Sequence, residues 1–152
     1  MIKSRNVSHQ ILAANAATNG ASTVTTALGA NAFSKTGVIK KIVVALPLKP
    51  VYNAGTYTTV TVRKNGSTIL TGTNAGRSTA STSATGDYIE FDVTGIVRSS
   101  GSGFATGTKL DSTKTSVAIG DWFDFTVVMD NTQTTAGNFT VAVYIDQKDV
   151  TP

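Results

Sequence analysis

The chain has 152 residues, of which only 14% are charged, and it contains no cysteine. This length fits one domain with a substantial core, and the lack of cysteine excludes a disulfide framework and thiolate metal sites. No apolar run is long enough to cross a membrane as a helix, so we expect a soluble protein made in a cytoplasm, with no membrane partner.

The charges are divided unevenly along the chain. The first 86 residues contain nine Lys and Arg and no acidic residue, whereas the remainder contains four basic residues and all nine acidic ones. Such segregation indicates interaction with partners rather than catalysis. Because the basic residues are scattered and lack interleaved aromatic side chains, we do not expect a nucleic-acid partner.

Residues 1–36 are rich in Ala, Asn, Ser and Thr, and we predict that they form an extended N-terminal arm. They include a helix-like patch over residues 8–17, which asparagines cut short, and a candidate strand over residues 23–28. Because so polar a segment has little core of its own, we expect it to become ordered against a partner. The residues predicted to contact that partner are Lys3, Arg5, His9, Ile11, Leu12 and Lys35.

From residue 37 onward the pattern is typical of β-strands. An apolar strand over residues 38–48 is followed by an alternating strand over residues 57–64. Asn65-Gly66 comes next and predicts a type I′ hairpin turn, because both central residues of that turn need a positive φ.

The last third of the chain alternates most clearly. Residues 123–129 place large apolar side chains on one face, and residues 139–145 do the same after a turn region. These two strands are expected to pair antiparallel and to cover one side of the core, toward which Ile89, Phe91 and Val93 also point. The turn spacing predicts about eight strands in an all-β fold, a single jelly roll or antiparallel β-sandwich over residues 37–152.

The sequence contains no arrangement of residues typical of an enzyme. The only histidine, His9, lies in the predicted arm, where it has no nucleophile to serve. The acidic residues that lie close together in sequence are Asp121, Asp124 and Asp130, with Glu90 and Asp92 on one strand face. Neither group has the spacing of a Ca²⁺ loop, so we predict solvent-facing strand acids, no catalytic residues, no metal and no cofactor.

Three aromatic residues are candidates for binding. Tyr88, Trp122 and Tyr144 each fall on the face opposite the apolar residues of their strand. Such residues form either a subunit interface or a stacking platform for a sugar, and we favour the interface.

Residues 59–66, 88–93 and 117–127 together resemble a small viral jelly roll, most similar in pattern to the decoration (cement) proteins of tailed-phage capsids. The order of strand, Asn-Gly turn and later Gly-Asp and strand is also seen in trimeric C1q/TNF-like jelly rolls. The resemblance covers about residues 38–146. It implies a structural protein of the virion that binds the major capsid protein or another virion protein. The resemblance further implies a homo-oligomer, a trimer as is common in that family, with its arm reaching a neighbour.

Two other functions stay open at this point. One is a glycan-binding jelly-roll module of a phage fibre or tail, with the three aromatic residues exposed. The other is a single-jelly-roll capsid protein that builds the lattice itself.

Overall fold

The structure is a computed structural model that describes residues 7–17, 23–28, 36–48, 51–52, 57–71, 77–79, 85–100, 108–129, 133–135 and 137–148. Its elements are β1 (Val7–Ala17), β2 (Thr23–Leu28), β3 (Gly37–Leu48), β4 (Val51–Tyr52), β5 (Tyr57–Lys64), β6 (Ser67–Thr68), β7 (Leu70–Thr71), β8 (Arg77–Thr79), β9 (Tyr88–Phe91), β10 (Ile96–Ser99), β11 (Lys109–Leu110), a 3₁₀ turn (Ser112–Lys114), β12 (Ser116–Val117), β13 (Phe123–Met129), β14 (Gln133–Thr135) and β15 (Asn138–Lys148). Among these residues no helix has the length and apolar character needed to span a bilayer.

The strands form two main antiparallel sheets. The front sheet has the order β1-β15-β3-β9-β10, with β12 also paired to β3, and the back sheet has the order β2-β13-β5-β6, with β8 also paired to β5. Two short ribbons, β7 with β11 and β4 with β14, complete the pairing of the described strands. Successive long strands alternate between the sheets, as in a jelly roll, and the predicted all-β antiparallel sandwich is confirmed.

The core lies between the two sheets and is built from alternate residues of each strand. Phe91 and Phe139 of the front sheet and Phe125 of the back sheet are all at most 1% exposed. Ile89, Val141, Val143 and Ile145 are also buried, as predicted, but Val93 is 38% exposed. Val93 points away because β9 ends at Phe91 and the chain bends before that residue is reached.

The predicted pairing of the last two long strands is wrong. β13 pairs with β2 and β5 in the back sheet, whereas β15 pairs with β1 and β3 in the front sheet. Their apolar faces therefore meet across the core instead of lying side by side. Alternation identifies which face of a strand is buried, but it does not distinguish a neighbour in the same sheet from one in the opposite sheet.

The described parts of the predicted arm are strands of the sandwich. β1 pairs with β15 over eleven residues, and β2 pairs with β13 over six. Leu12 and Leu28 enter the core from these strands, at 9% and 2% exposure. The helix-like patch over residues 8–17 is a strand because its eleven-residue ladder with β15 and the burial of Leu12 override the helix preference of its alanines. An arm that reaches a partner stays a prediction for the remainder of residues 1–36.

β3 and β15, the central pair of the front sheet, approach each other closely where β3 begins. A Cβ on Gly37 would lie 2.7 Å from the carbonyl oxygen of Asp146, so only glycine fits where β3 begins beside β15. The register of the pair shifts between Ile39 and Lys41, which leaves Lys40 as the extra residue of a bulge. The bulge brings both Lys40 and Lys41 toward the outer side of the sheet.

Candidate functional site

Basic residues of the first half of the chain pair with acidic residues of the second half. Every first-half base whose side chain the structure describes takes part. The pairs are Lys40–Asp146 at 3.6 Å, Lys41–Glu90 at 3.1 Å, Arg63–Asp124 at 2.5 Å and Lys64–Asp121 at 3.9 Å. Each pair joins strands or turns that the two sheets bring together, so the segregated charges of the sequence neutralise each other within the sandwich.

The strongest of these pairs joins the two central strands of the back sheet. Arg63 of β5 donates from Nε to Oδ1 of Asp124 at 2.7 Å and from a terminal nitrogen to Oδ2 at 2.5 Å. The hydrogen bonds to Asp124 raise the pKa of the guanidinium above its ordinary value. The Asp124 side chain is only 8% exposed, so this carboxylate depends on Arg63 for its charge partner.

The Asn65-Gly66 turn has the predicted geometry and a second partner that the sequence did not reveal. Both residues have positive φ, 52° and 79°, and β6 returns beside β5. The Asn65 side chain donates from Nδ2 to Oδ1 of Asp121 at 2.7 Å and accepts from the Trp122 N–H at 3.0 Å. The turn is therefore fastened to the start of β13, and Asn65 has a structural role besides its turn preference.

Asp121 joins the turn after β5 to the loop that precedes β13. Its Oδ2 accepts from the Ala118 N–H at 2.8 Å, and the Lys64 ammonium lies 3.9 Å away. Partial burial pushes the pKa of the Asp121 carboxyl upward, but the hydrogen bonds from Ala118 and Asn65 and the charge of Lys64 together hold it below its ordinary value. Asp121 is thus a charged structural residue of the corner.

Trp122 lies at the same corner and leaves much of its ring in solvent. The side chain is 46% exposed, and its ring would lie 3.8 Å from a Cβ on Gly66. The backbone of Trp122 bonds Asn65 in both directions, since its carbonyl also accepts from the Asn65 N–H at 2.9 Å. The backbone of Trp122 is therefore held in place, while nearly half of its side-chain surface remains exposed to solvent.

The outer surface of the front sheet combines small and apolar side chains with two tyrosines, a threonine and one ion pair. We call this surface the front face, and its central residues are Ile11, Ala13, Lys41, Val43, Ala45, Tyr88, Glu90, Thr140, Ala142 and Tyr144. None of these side chains is buried, and Ile11 is 55% exposed. One row across four strands contains Ala13, Ala142, Val43 and Glu90 in register.

The outer surface of the back sheet is different because it is hydroxyl-rich. We call it the back face, and it consists of Thr23, Thr25, Ala27, Thr59, Thr61, Arg63, Asp124, Thr126 and Val128. Its central row contains Thr25, Thr126 and Thr61 in register. Threonine hydroxyls solvate a sheet surface without adding charge, so this face suits contact with water.

The predicted partner-binding residues have different positions. Ile11 points outward from β1, but Leu12 packs in the core of its own chain and so is not on the surface. His9 lies in β1 opposite Asp146, and its side chain is outside the described residues. Lys3, Arg5 and Lys35 also lie outside them.

The three candidate aromatic residues do not form one platform. Tyr88 and Tyr144 lie on the front face, whereas Trp122 lies at the corner beside the back sheet. The Lys41 ammonium sits 4.7 Å from the centre of the Tyr144 ring, which partly covers that ring. Tyr88 is 36% exposed.

Two further acidic residues that the structure describes, Asp92 and Asp111, have local partners. Asp92 accepts from both the hydroxyl and the N–H of Thr94, and these bonds lower the pKa of its carboxyl. No group of three or more metal-ligating side chains occurs among the residues that the structure describes. Asp130 lies outside those residues.

Comparisons with known proteins give a distant likeness to a solved structure. No protein-family model matches the chain, and no curated protein matches it. Among solved structures it is similar to a chain of the capsid asymmetric unit of cyanophage Pam1, with 12% identity and a TM-score of 0.45, over 93% of this chain and 86% of that one. A likeness this distant carries no argument about the role of the present chain.

The Arg63–Asp124 pair is expected to stabilise the fold more than the exposed pairs do. Replacing Arg63 by Met leaves a nearly buried carboxylate without a partner, which should lower the free energy of unfolding by about 2 kcal/mol. Lys40→Met is the matched control, because the Lys40 side chain is 57% exposed, and it should cost less than about 1 kcal/mol. Urea unfolding of both variants measures the difference, and equal losses would contradict the assignment.

The contribution of Asp121 to the free energy of unfolding should depend on pH. Asp121→Ala removes the acceptor of two hydrogen bonds and should cost about 1–2 kcal/mol at pH 7. Because the folded pKa of Asp121 is lowered, its contribution is present above the unfolded value of about 3.9 and is lost as pH falls through the folded pKa. Urea unfolding of wild type and variant at pH 7 and pH 2.5 should therefore show the gap narrowing in acid. A gap that is the same at both pH values would show that the charge of Asp121 is not involved.

Proposed function

We propose that this chain is a structural protein of a virion, a capsid decoration protein that binds an assembled shell and stabilises it. Contacts between copies and the N-terminal residues carry the binding, and the protein resides in the virion after synthesis in the host cytoplasm. The observation that supports this most directly is the front face, where Ala13, Ala142 and Val43 lie in one row across three strands and leave apolar surface outside the core. Surfaces of that kind are commonly buried against another protein.

The distribution of paired charges supports a role for the N-terminal residues. Lys40, Lys41, Arg63 and Lys64 are used within the sandwich. The excess positive charge of the first half therefore rests on its other bases, which are Lys3, Arg5, Lys35, Lys49 and Arg77. Three of these belong to residues 1–36, and we propose that they meet an acidic surface of the shell, such as that of the major capsid protein, or of a neighbouring copy.

The partner in this proposal is a lattice of repeated subunits, and the decoration protein binds it as a homo-oligomer, a trimer in the simplest case. Binding several lattice sites at once through one oligomer raises the overall affinity without new kinds of contact. A chain that instead forms the lattice itself would assemble into shells when expressed alone.

Charge reversal of the N-terminal residues tests this proposal better than deletion of residues 1–36, which would remove β1, β2 and their two core leucines. We expect Lys3→Glu with Arg5→Glu to lower occupancy by at least roughly tenfold, because like charges then meet at the contact. The assay uses the particle with which the protein copurifies. Shells of that particle are stripped of the protein, each variant is added back, and its occupancy is measured.

The matched control reverses two bases of the second half that are not among the front-face residues, Lys109→Glu with Lys114→Glu. This control has the same net charge as the test variant, and its occupancy should equal that of wild type. Equal occupancy of all three proteins, or failure to copurify with any particle, would contradict the proposal.

A glycan-binding module is the second candidate, and the exposed indole of Trp122 is the observation that favours it. Stacking of one aromatic face on a sugar would require this ring. A glycan array probed with wild type, Trp122→Ala and the control Tyr88→Ala tests it. This candidate predicts a wild-type signal that Trp122→Ala loses and Tyr88→Ala keeps. A wild-type protein that binds no glycan contradicts it.

A further inference from the structure

Asn65 precedes Gly66, and an asparagine in this position is chemically labile. The backbone nitrogen of Gly66 can attack the side-chain carbonyl carbon of Asn65, because glycine has no side chain to hinder the approach. A bond forms between these two atoms, the bond to the amide nitrogen breaks, and ammonia leaves with the proton of the Gly66 N–H. Water then opens the succinimide ring to give aspartate or isoaspartate, so this deamidation needs no oxidant or reductant.

The folded protein holds the Asn65 side chain by hydrogen bonds at both ends of its amide. Nδ2 donates to Oδ1 of Asp121 at 2.7 Å, and Oδ1 accepts from the Trp122 N–H at 3.0 Å. A carboxylate only accepts and a backbone N–H only donates, so the two partners fix the orientation of the amide. Ring closure requires the side chain to fold back onto its own peptide bond to Gly66, whereas here it bonds to the loop before β13.

Burial does not protect this amide, because Asn65 and Gly66 are both exposed to solvent. Water therefore reaches the pair in the folded protein, and the hydrogen bonds are what restrain the reaction. The backbone adds to this restraint. The Asn65 N–H donates to the Trp122 carbonyl at 2.9 Å, and Lys64 pairs with Ser67 on either side of the turn.

The product of the reaction would place two carboxylates face to face. An oxygen at residue 65 would replace the donor that now lies 2.7 Å from Oδ1 of Asp121. A carboxylate has no hydrogen to donate, so an attractive contact would become repulsion between like charges. Isoaspartate would also add a methylene to the main chain and alter the turn between β5 and β6. Either product therefore weakens the contact between this turn and the start of β13.

We propose that Asn65 is a deamidation site that the folded protein keeps unreactive. The bonds to Asp121 and Trp122 hold the amide while the chain is folded. Unfolding frees the side chain for ring closure, and the product weakens the same contact when the chain folds again. Deamidation thus converts a reversible unfolding event into a lasting loss of stability. These steps concern the chain alone and do not depend on its binding a shell.

Peptide mapping by mass spectrometry measures the reaction in the full chain, incubated at mildly alkaline pH in buffer or in urea. In urea Asn65 should react at a rate similar to that of Asn19, which also precedes a glycine. In buffer Asn65 should react at least about tenfold more slowly than in urea, because a hydrogen bond to a charged acceptor has to break first. An Asn65 that is inert in urea, or that reacts as fast in buffer, would overturn the proposal.

Two matched variants separate the local contact from general destabilisation. Asp121→Ala removes the acceptor of the Asn65 amide and should raise the rate at Asn65 in buffer by at least roughly fivefold. Asp92→Ala removes a carboxylate that also accepts two hydrogen bonds, but from Thr94 at the end of β9, so it should keep the wild-type rate. Equal rates in the two variants would contradict protection by Asp121. The comparison of wild type in buffer and urea needs neither variant to fold.

Asn65→Asp reproduces one product of the reaction. It should raise the equilibrium constant of unfolding roughly tenfold at neutral pH, because a hydrogen bond is replaced by repulsion. The same change should have a much smaller effect in the Asp121→Ala background, where the facing carboxylate is absent. Urea unfolding of wild type, both single variants and the double variant measures this coupling. Equal effects in the two backgrounds would show that deamidation does not act through Asp121.

Discussion

The fold depends on pairing between strands from opposite halves of the chain. β3 lies beside β15 in the front sheet, and β5 lies beside β13 in the back sheet. These two pairs lie inside the two sheets, and the edge strands β1 and β2 attach to their second-half members. Because the central pairs of both sheets join residues that are distant in sequence, neither sheet is complete without strands from both halves of the chain.

The segregated charges are consistent with this topology. All charged residues of the first half are basic. If its long strands paired among themselves, like charges would lie opposite each other, and such cross-strand contacts are destabilising. Pairing with the acidic second half replaces them by Lys41–Glu90 and Arg63–Asp124, which link neighbouring strands within each sheet. Exposed ion pairs contribute little energy individually. Their larger effect is to make the observed strand order better than its alternatives, which is a contribution to specificity.

The sequence was sufficient to predict the strands whose own residues determine them. β2, β3 and the turn at Asn65-Gly66 were predicted because their apolar residues, prolines and Asn-Gly act locally. β1 was not, because its Ala-rich sequence has no strand signal until β15 supplies a ladder and Leu12 meets the core. The contact between Asn65 and Asp121 was also missed, since it joins residues 56 positions apart that only the completed fold brings together.

The surface was harder to predict than the core, and the reason is physical. A buried side chain is constrained by volume and polarity, so alternation alone was enough to predict that Phe125 and Val143 are buried. An outward residue such as Ala142 or Thr126 satisfies the same alternation whether it faces water or another protein. The difference between them becomes evident only when the register places each in a row with like neighbours across its sheet. Ala142 lies beside Ala13 and Val43, so these three side chains together expose apolar surface to water. Burying such a surface is favourable in proportion to its area.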